Sequence, residues 1–316
     1  MSEAILIDVL PAHQFDQDRL TQYLTGRLPG ADAGMSVKQF QGGQSNPTYL
    51  LEIGGKRYVL RKKPPGKLLP SAHMVEREFQ VINALGATDV PVPKAELLCE
   101  DPEIIGTAFY IMEYVEGRVH TQPLLEAVDK SQREPIYHSM IETMAKLHNV
   151  DWKAVGLESY GKAEGYIPRQ IKRWSGQFEA SRTGEMPAMD KLMAWLPDNM
   201  PDKDETTIAH GDFRVGNLIL HPTEPRVVSI LDWELATLGH PLSDLAYCCL
   251  PYHLPAGMDG VKGMLGEDLK SMGLPEEQQI LEWYCQYTGR SEIPNWNFFV
   301  AFSLFRLAAI VQGVYH

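Results

Sequence analysis

Two stretches in the second half of the chain decide the fold: His210-Gly211-Asp212-Phe213-Arg214-Val215-Gly216-Asn217 and Ile230-Leu231-Asp232-Trp233-Glu234. Two β-rich runs separate them, at 218–220 and 227–231, with turn-forming residues between. We expect an antiparallel hairpin, which returns the chain to its start and places Asn217 beside Asp232. Two side-chain oxygens there suit Mg²⁺, which binds a few protein oxygens together with phosphate and water. The stretches therefore predict a Mg²⁺ site at the end of the hairpin.

The first stretch has the spacing of the protein-kinase catalytic loop, H-R-D-L-x-x-x-N, in which the Asp accepts the substrate proton and the Asn binds metal. Asn217 likewise follows Asp212 by five residues. Asp212 is therefore the candidate catalytic residue, and Asn217 and Asp232 are the candidate metal ligands. Taken singly, H-G-D could be a turn before a strand and Asp232 could cap a strand end. The combination favours the kinase interpretation.

These stretches resemble the hallmark of the aminoglycoside phosphotransferase and choline kinase superfamily, H-G-D-x-x-x-x-N followed by I-x-D-W. Three further segments most resemble the kinase-like domains fused to, or encoded near, acyl-CoA dehydrogenases: Tyr58–Arg61, Val75–Glu78 and Gly239–Ala246. The resemblance covers roughly residues 30 to 315. It implies an α+β class and a bilobal protein-kinase-like fold, with a small β-rich N-lobe, a larger mainly helical C-lobe and ATP held between the lobes.

The hydrophobic pattern changes from strands to helices near the middle of the chain. Short β-rich runs at 37–40, 48–53, 57–60 and 109–115 surround one amphipathic helix at 72–85. Longer amphipathic segments follow, at 131–149, 169–180, 190–195, 275–288 and 297–315. We expect residues 1–115 to form a nucleotide-binding lobe with an N-terminal helical lead-in. Residues 116–316 should form the catalytic and substrate-binding lobe.

A glycine-containing loop between the first two strand runs is the candidate phosphate-binding segment. Small residues there let backbone N–H groups approach phosphate oxygens, although a glycine pair in a hairpin is also an ordinary turn. The candidates are Gly42, Gly43, Ser45 and Asn46.

A basic residue on the third strand is expected to grip the phosphates and to pair with a helix glutamate, as in kinases. The helix acid is Glu78, but the strand position holds Arg61 where the family pattern has lysine. Alternation along the strand places Arg61 on one face, so we favour the Arg61–Glu78 pair. Lys62 is the alternative partner. If neither residue binds phosphate, both are simply solvent-exposed basic residues at the end of a strand.

The segment after the last strand of the first lobe resembles the hinge of the family, in which backbone groups of Glu113 and Val115 would meet adenine. Two more residues have counterparts around the catalytic loop. Asp244 resembles the acid that braces this loop, and it could equally begin a helix. His148 belongs to a helix that packs beneath the loop, and we expect a structural role for it.

Composition excludes some partners. The 316 residues include 29 Lys and Arg against 41 Asp and Glu, a formal net charge of −12, so neither nucleic acid nor a membrane is expected to bind. The longest apolar stretch, 298–311, is interrupted by Arg306 and predicts a buried helix. Four cysteines without zinc-like spacing, and no visible secretory signal, favour a cytoplasmic protein. The oligomeric state stays open.

The expected reaction is transfer of the ATP γ-phosphate to the hydroxyl of a small molecule, with Mg²⁺ as cofactor. A protein substrate is disfavoured because 11 residues separate Asp232 from Asp244, which leaves little room for an activation segment. The association with acyl-CoA dehydrogenases suggests a hydroxyacyl-CoA as acceptor. The resemblance implies that the acceptor binds to residues 118–200 and 255–316, which contain six aromatic residues, namely Tyr160, Tyr166, Trp174, Trp195, Trp283 and Trp296.

Two charged groups in these regions indicate different acceptors. A basic helix face of Arg169, Lys172 and Arg173 would attract a phosphate-bearing acceptor, whereas Glu276, Glu277 and Glu282 would suit an aminoglycoside. A choline-type kinase is a related alternative. From another class, a nucleotide-binding pseudokinase that acts as an interaction module has one supporting feature, the replacement of the strand lysine by Arg61.

Overall fold

The computed structural model describes residues 5–41, 46–66, 73–257 and 262–315. The strands are β1 Leu6–Ile7, β2 Met35–Phe40, β3 Thr48–Ile53, β4 Lys56–Lys62, β5 Ala95–Cys99, β6 Phe109–Glu113, β7 Thr207–Ala209, β8 Leu218–Leu220, β9 Val227–Ile230 and β10 Thr237–Gly239. The helices are α1 Gln17–Leu24, α2 Val75–Leu85, α3 Pro102–Ile105, α4 Lys130–His148, α5 Tyr166–Ser181, α6 Pro187–Asp198, α7 Pro241–Cys248, α8 Leu269–Met272, α9 Glu277–Thr288 and α10 Trp296–Tyr315.

The chain divides into two compact units. Unit 1 comprises Met1–Val119, Ile219–Glu224 and Val228–Glu234, and unit 2 comprises His120–Leu218, Pro225–Val227 and Leu235–His316. The division near Val119 lies close to the expected boundary at residue 115. The second half of the chain nevertheless contributes to unit 1 most of the β8–β9 hairpin and, just after it, Asp232.

Unit 1 is built on one antiparallel sheet with the strand order β1-β2-β3-β4-β6-β5. The predicted turn between β3 and β4 is Gly54-Gly55, and both residues have positive φ, 54° and 76°, which a two-residue hairpin of this kind requires. Alternating side chains bury one face of the sheet, including Tyr49, Leu51 and Leu60, against α1 and its neighbours. This core fixes the register of β4, and therefore the direction of Arg61.

Unit 2 is mainly helical, as expected. Helix α10 packs against α5, α6 and α7, and α4 packs against α9. Helix α10 is long and apolar enough to cross a membrane by length and composition, but half of that apolar window is buried inside the protein. Its aromatic side chains Phe299, Phe302 and Phe305 are at most 1% exposed. The predicted buried helix is confirmed at this position.

Candidate active site

The catalytic loop connects β7 to β8 in unit 2. Gly211 has a φ of 83°, and a Cβ atom there would lie 2.7 Å from the carbonyl oxygen of Leu235. A side chain at this position would therefore clash with backbone in addition to straining the left-handed conformation. The H-G-D sequence requires its glycine because the chain must turn closely past Leu235.

Asp244, in the first turn of α7, braces the start of this loop. Its carboxylate accepts hydrogen bonds from the backbone N–H groups of His210 at 2.7 Å and Gly211 at 2.8 Å. The Nε2 atom of His148 lies 3.3 Å from the same carboxylate. Burial raises the pKa of Asp244, but the hydrogen bond and charge of His148, with the contribution of His210, outweigh burial and hold this pKa below its usual value. The expected bracing contact is present.

The carboxylate of Asp212 is held from two sides. Asn217 donates through Nδ2 to Asp212 Oδ2 at 2.7 Å and to the Asp212 carbonyl at 2.8 Å. Arg214 donates through Nε to the same Oδ2 atom at 3.1 Å. Because Nδ2 of Asn217 faces Asp212, its Oδ1 atom is the oxygen that can face a cation. The loop therefore positions a carboxylate and presents an amide oxygen beside it.

Two residues that the sequence analysis did not assign complete this loop. Arg306 of α10 is 7% exposed, and its Nη2 atom donates to the carbonyl of Gly211 at 2.7 Å. Its guanidinium lies 4.7 Å from the ring centroid of Tyr247. Burial first, and then the charge and hydrogen bond of Asp212, raise the pKa of Tyr247 to about 12, while the charge of Arg306 opposes this rise. In the sequence, Arg306 could have been recognised as a candidate because it is the single charged residue in an apolar helix.

Unit 1 contributes a second cluster, centred on Arg61. Its Nε atom lies 2.9 Å from Glu78 Oε2, in an ion pair whose N–H bond is not aligned for a hydrogen bond. Its Nη2 atom donates to Asp232 Oδ1 at 2.8 Å and lies 3.5 Å from Glu234. Glu78 also accepts from Asn46 at 2.8 Å. The predicted pairing of Arg61 with Glu78 is thus observed, while the predicted binding of nucleotide by Asn46, Arg61 and Glu78 stays a prediction.

One arginine faces three carboxylates in this cluster. Burial raises the pKa of Glu78, to about 7, and the charges of Asp232 and Glu234 add to that rise while Arg61 opposes it. Burial alone would lower the pKa of Arg61. The charges of the three carboxylates, of which Glu78 contributes most, outweigh burial and raise this pKa. The excess of negative charge favours an incoming cation.

Lys62 lies on the opposite face of β4. Its Nζ atom donates to the Ile105 carbonyl at 3.3 Å and lies 5.3 Å from the Phe15 ring centroid. Burial lowers the pKa of Lys62. Strand alternation therefore leaves Arg61 as the basic residue beside Glu78.

Of the remaining nucleotide-binding candidates, the structure describes Glu113 and Val115. Glu113 ends β6, where its N–H donates to the Lys94 carbonyl at 2.9 Å, and Val115 follows two residues later. Gly42, Gly43 and Ser45 lie outside the described residues.

The donor chemistry fits Mg²⁺. Asn217 in unit 2 offers an amide oxygen, and Asp232 in unit 1 has a carboxylate oxygen that Arg61 does not contact. Asp232 has a φ of 63°, which is uncommon for a residue with a side chain and typical of constrained functional positions. No group of three or more His, Cys, Asp or Glu suited to a metal occurs in the described part of the chain. A cation bound by Asn217 or Asp232 would therefore take its further ligands from phosphate and water oxygens.

A cavity of about 390 Å³ lies beside the catalytic loop in unit 2. Arg214 and Tyr247, which both interact with Asp212, line it together with Lys262. The remaining lining residues are mostly apolar, and they are Thr121, Pro123, Tyr137, Met140, Val215, Gly216, Cys248, Leu250, Pro251, Leu254, Leu307 and Val311.

Seven of the lining residues fall within the expected ranges 118–200 and 255–316, but none of the individual aromatic, basic or acidic residues suggested by the sequence is among the described lining residues. The guanidinium of Arg173 stacks on Trp174, and Arg169 donates to the Lys162 carbonyl, so the basic face of α5 has partners of its own. Glu277 pairs with His253. Three of the six aromatic residues, Tyr160, Tyr166 and Trp174, are buried in the core. Sequence spacing could not identify the cavity because its residues come from six separate segments between Thr121 and Val311.

Comparison with known proteins gives a consistent assignment. The chain matches the phosphotransferase enzyme family (APH) over residues 36–275. It is 47% identical over 300 residues to acyl-CoA dehydrogenase family member 10 of Mus musculus, a match that covers 95% of this chain and 28% of the mouse protein. The chain thus spans less than a third of that relative.

Two solved structures show the same fold. A protein of Ralstonia eutropha, named provisionally as an aminoglycoside phosphotransferase, has a TM-score of 0.87 and 45% identity, over 95% of this chain and 89% of the other. Choline kinase of Cryptosporidium parvum has a TM-score of 0.68 and 15% identity, over 95% and 90%. The expected kinase-like α+β fold is confirmed. The chain belongs to the phosphotransferase enzyme family.

Proposed function

We propose that this protein is an ATP- and Mg²⁺-dependent kinase that phosphorylates a hydroxyl group of a small molecule. The observation that carries the proposal is the setting of Asp212, whose carboxylate is oriented by Asn217 and flanked by two residues of a cavity, Arg214 and Tyr247. A fixed carboxylate beside a cavity is what transfer to a hydroxyl requires, since phosphoryl transfer depends on positioning and charge stabilisation.

In the proposed reaction the acceptor oxygen forms a bond to the γ-phosphorus of ATP while the bond to the bridging β–γ oxygen breaks and ADP leaves. Asp212 orients the acceptor hydroxyl and takes its proton. Arg61, held by Glu78, contacts the α- and β-phosphates in place of the usual lysine; its planar guanidinium can make two parallel bonds. Asn217 and Asp232 are the candidate residues that would hold Mg²⁺, which would supply positive charge to neutralise the phosphates.

The acceptor we propose is a hydroxylated acyl compound, such as a hydroxyacyl-CoA. The name of the mouse relative, an acyl-CoA dehydrogenase family member, and the apolar cavity wall support this class. At about 30 Å³ per water, 390 Å³ holds about 13 water molecules, so only part of a coenzyme A ester would fit. A cytoplasmic location and the absence of nucleic-acid and membrane partners stay predictions.

A thermal-shift titration with ATP and ADP, each with and without Mg²⁺, tests nucleotide binding. Ligand at 100 times Kd stabilises the native state by about 2.7 kcal/mol. We expect a Mg²⁺-dependent rise in Tm for the wild type that is lost in Asp232→Ala. The matched control is Asp89→Ala, which removes an exposed carboxylate from the same unit. Absence of any shift at millimolar nucleotide would contradict the proposal.

The pseudokinase alternative is favoured by one observation, the Arg61–Asp232 ion pair, which occupies one oxygen of a candidate metal ligand. Turnover separates the two functions. A kinase loses ATP-dependent phosphorylation in Asp212→Ala while it retains ADP binding. A binding module binds nucleotide but phosphorylates no hydroxyl compound in either form.

A further inference from the structure

The cavity beside the catalytic loop has charge of one sign. Its two charged lining residues are Arg214 and Lys262, and no carboxylate occurs among its described lining residues. The rest of the wall is mainly aliphatic and aromatic, with Met140, Leu254 and Leu307 among its residues. The combination of an apolar wall and two cations is specific enough to select a ligand.

Among the described residues, neither cation has partners for all of its donors. Arg214 shares the single carboxylate of Asp212 through its Nε atom, and 46% of its side chain remains exposed. Lys262 donates to the carbonyl oxygen of Thr121 at 2.9 Å, a neutral partner. Burial first, and then the positive charge of Arg214, lower the pKa of Lys262. The two cations therefore act on the same space, where an anion would relieve their repulsion.

We propose that this cavity is the acceptor subsite, and that it takes a hydroxyl compound with a short apolar carbon chain and an anionic group, carboxylate or phosphate, bound by Arg214 and Lys262. The inference rests on the proposed kinase function and deepens it, because it names the acceptor class. The chain of the acceptor packs on the apolar wall, while the anion replaces part of the hydration of the two cations.

Arg214 connects this anion site to the catalytic carboxylate. Its guanidinium has five N–H donors in a fixed plane, and Nε is the one that reaches Asp212. The Nη1 atom lies over Gly216, where a Cβ atom would come within 2.6 Å of it. Glycine at 216 therefore makes room for the guanidinium. An anion on the remaining donors would be held one side chain away from Asp212, which fixes the distance from anion to reacting hydroxyl.

The same charges disfavour cationic acceptors. A choline or an aminoglycoside would bring positive charge towards Arg214 and Lys262, and the nearby carboxylate of Asp212 is already paired with Arg214, while no carboxylate occurs among the described lining residues. The acids expected to suit an aminoglycoside, Glu276, Glu277 and Glu282, lie outside the lining.

Binding and turnover are measured separately. For binding, hexanoate, hexyl phosphate, the neutral hexanamide and choline are titrated by calorimetry into the wild type, Lys262→Gln and Lys191→Gln. Lys191 is an exposed lysine of α6, so its substitution changes net charge equally without touching the cavity. We expect at least one of the two anionic probes to bind, with a tenfold or greater loss in Lys262→Gln and less than twofold change in Lys191→Gln. The comparison of hexanoate with hexyl phosphate identifies the preferred anion.

For turnover, hydroxyhexanoates with the hydroxyl at different carbons, their amides and a hydroxyhexanoyl-CoA are assayed with ATP and Mg²⁺. We expect Lys262→Gln to raise the KM of the preferred anionic acceptor at least tenfold with kcat changed less than threefold. Equal affinity for hexanamide and both anions, or equal anion affinity in wild type and Lys262→Gln, overturns the subsite. If anions bind as expected but ADP–Mg²⁺ does not bind and nothing is phosphorylated, the subsite stands and the kinase function fails. If neutral acceptors are phosphorylated with the same efficiency as anionic ones, the kinase function stands and the anion subsite fails.

Discussion

Removal of the Asp244 carboxylate is the perturbation with the most direct structural consequence. In Asp244→Ala the buried N–H groups of His210 and Gly211 lose their acceptor, at about 1–3 kcal/mol each, and His148 loses its partner. The desolvation cost of the carboxylate disappears at the same time and offsets part of this. We therefore expect the free energy of unfolding to fall by about 3–5 kcal/mol, the range for breaking a buried pair from one side.

Urea unfolding monitored by tryptophan fluorescence measures this loss, because five of the six tryptophans belong to unit 2 with Asp244. The control is Asp198→Ala, an exposed carboxylate at the end of α6, for which we expect a change below about 0.5 kcal/mol. Hydrogen exchange at the amides of His210 and Gly211 adds a local readout and should accelerate in Asp244→Ala alone. Equal stability of the two variants, with unchanged exchange, would refute the bracing role.

Three further predictions concern residues around the same loop. Burial lowers the pKa of His240 to about 4, so as the pH falls this histidine binds a proton in the unfolded protein before it does so in the folded protein. We therefore expect the free energy of unfolding to decline between about pH 6.5 and 4. Urea titrations at a series of pH values should show a flatter decline for His240→Asn. Arg306→Met removes the bond to the Gly211 carbonyl, and we expect kcat to fall about tenfold with Arg306→Lys intermediate; unchanged kcat in steady-state assays would argue against a positioning role. Asp212→Asn should lower kcat by about 10²–10⁴-fold with the Kd of ADP unchanged, as measured by calorimetry.

Local sequence patterns predicted the parts of the fold that depend on neighbouring residues. Strand β3 and the turn Gly54-Gly55 follow from alternation and turn chemistry, and both are found where expected. Strand β5 was missed because Ala95–Cys99 does not alternate and follows a proline-containing segment, so only its pairing with β6 makes it a strand. Helix α7 was considered only as a possible helix start at Asp244, because its buried residues surround it and do not form one face.

The candidate site shows the same limit at larger sequence separation. Asp212 and Asn217 were predicted from a spacing of five residues, and the hydrogen bonds between them are local. Arg306 lies 95 residues from the Gly211 carbonyl that it contacts. The sequence showed that Arg306 is a charged residue within an apolar stretch, but the spacing could not indicate which group it contacts. Contacts made by packing of distant helices, such as α10 on α7, are not encoded in any local pattern.

The replacement of the strand lysine by Arg61 is best understood from the charges around it. A lysine ammonium is a compact point charge, whereas a guanidinium presents several donors in one plane and can contact separate carboxylates at once. In this protein Nε faces Glu78 while Nη2 faces Asp232 and Glu234. With three acids around one cation, arginine satisfies a geometry that a single ammonium would serve less well. The presence of arginine in place of lysine is therefore explained by the three acids around it, Glu78, Asp232 and Glu234. It is not by itself a sign of a disabled site.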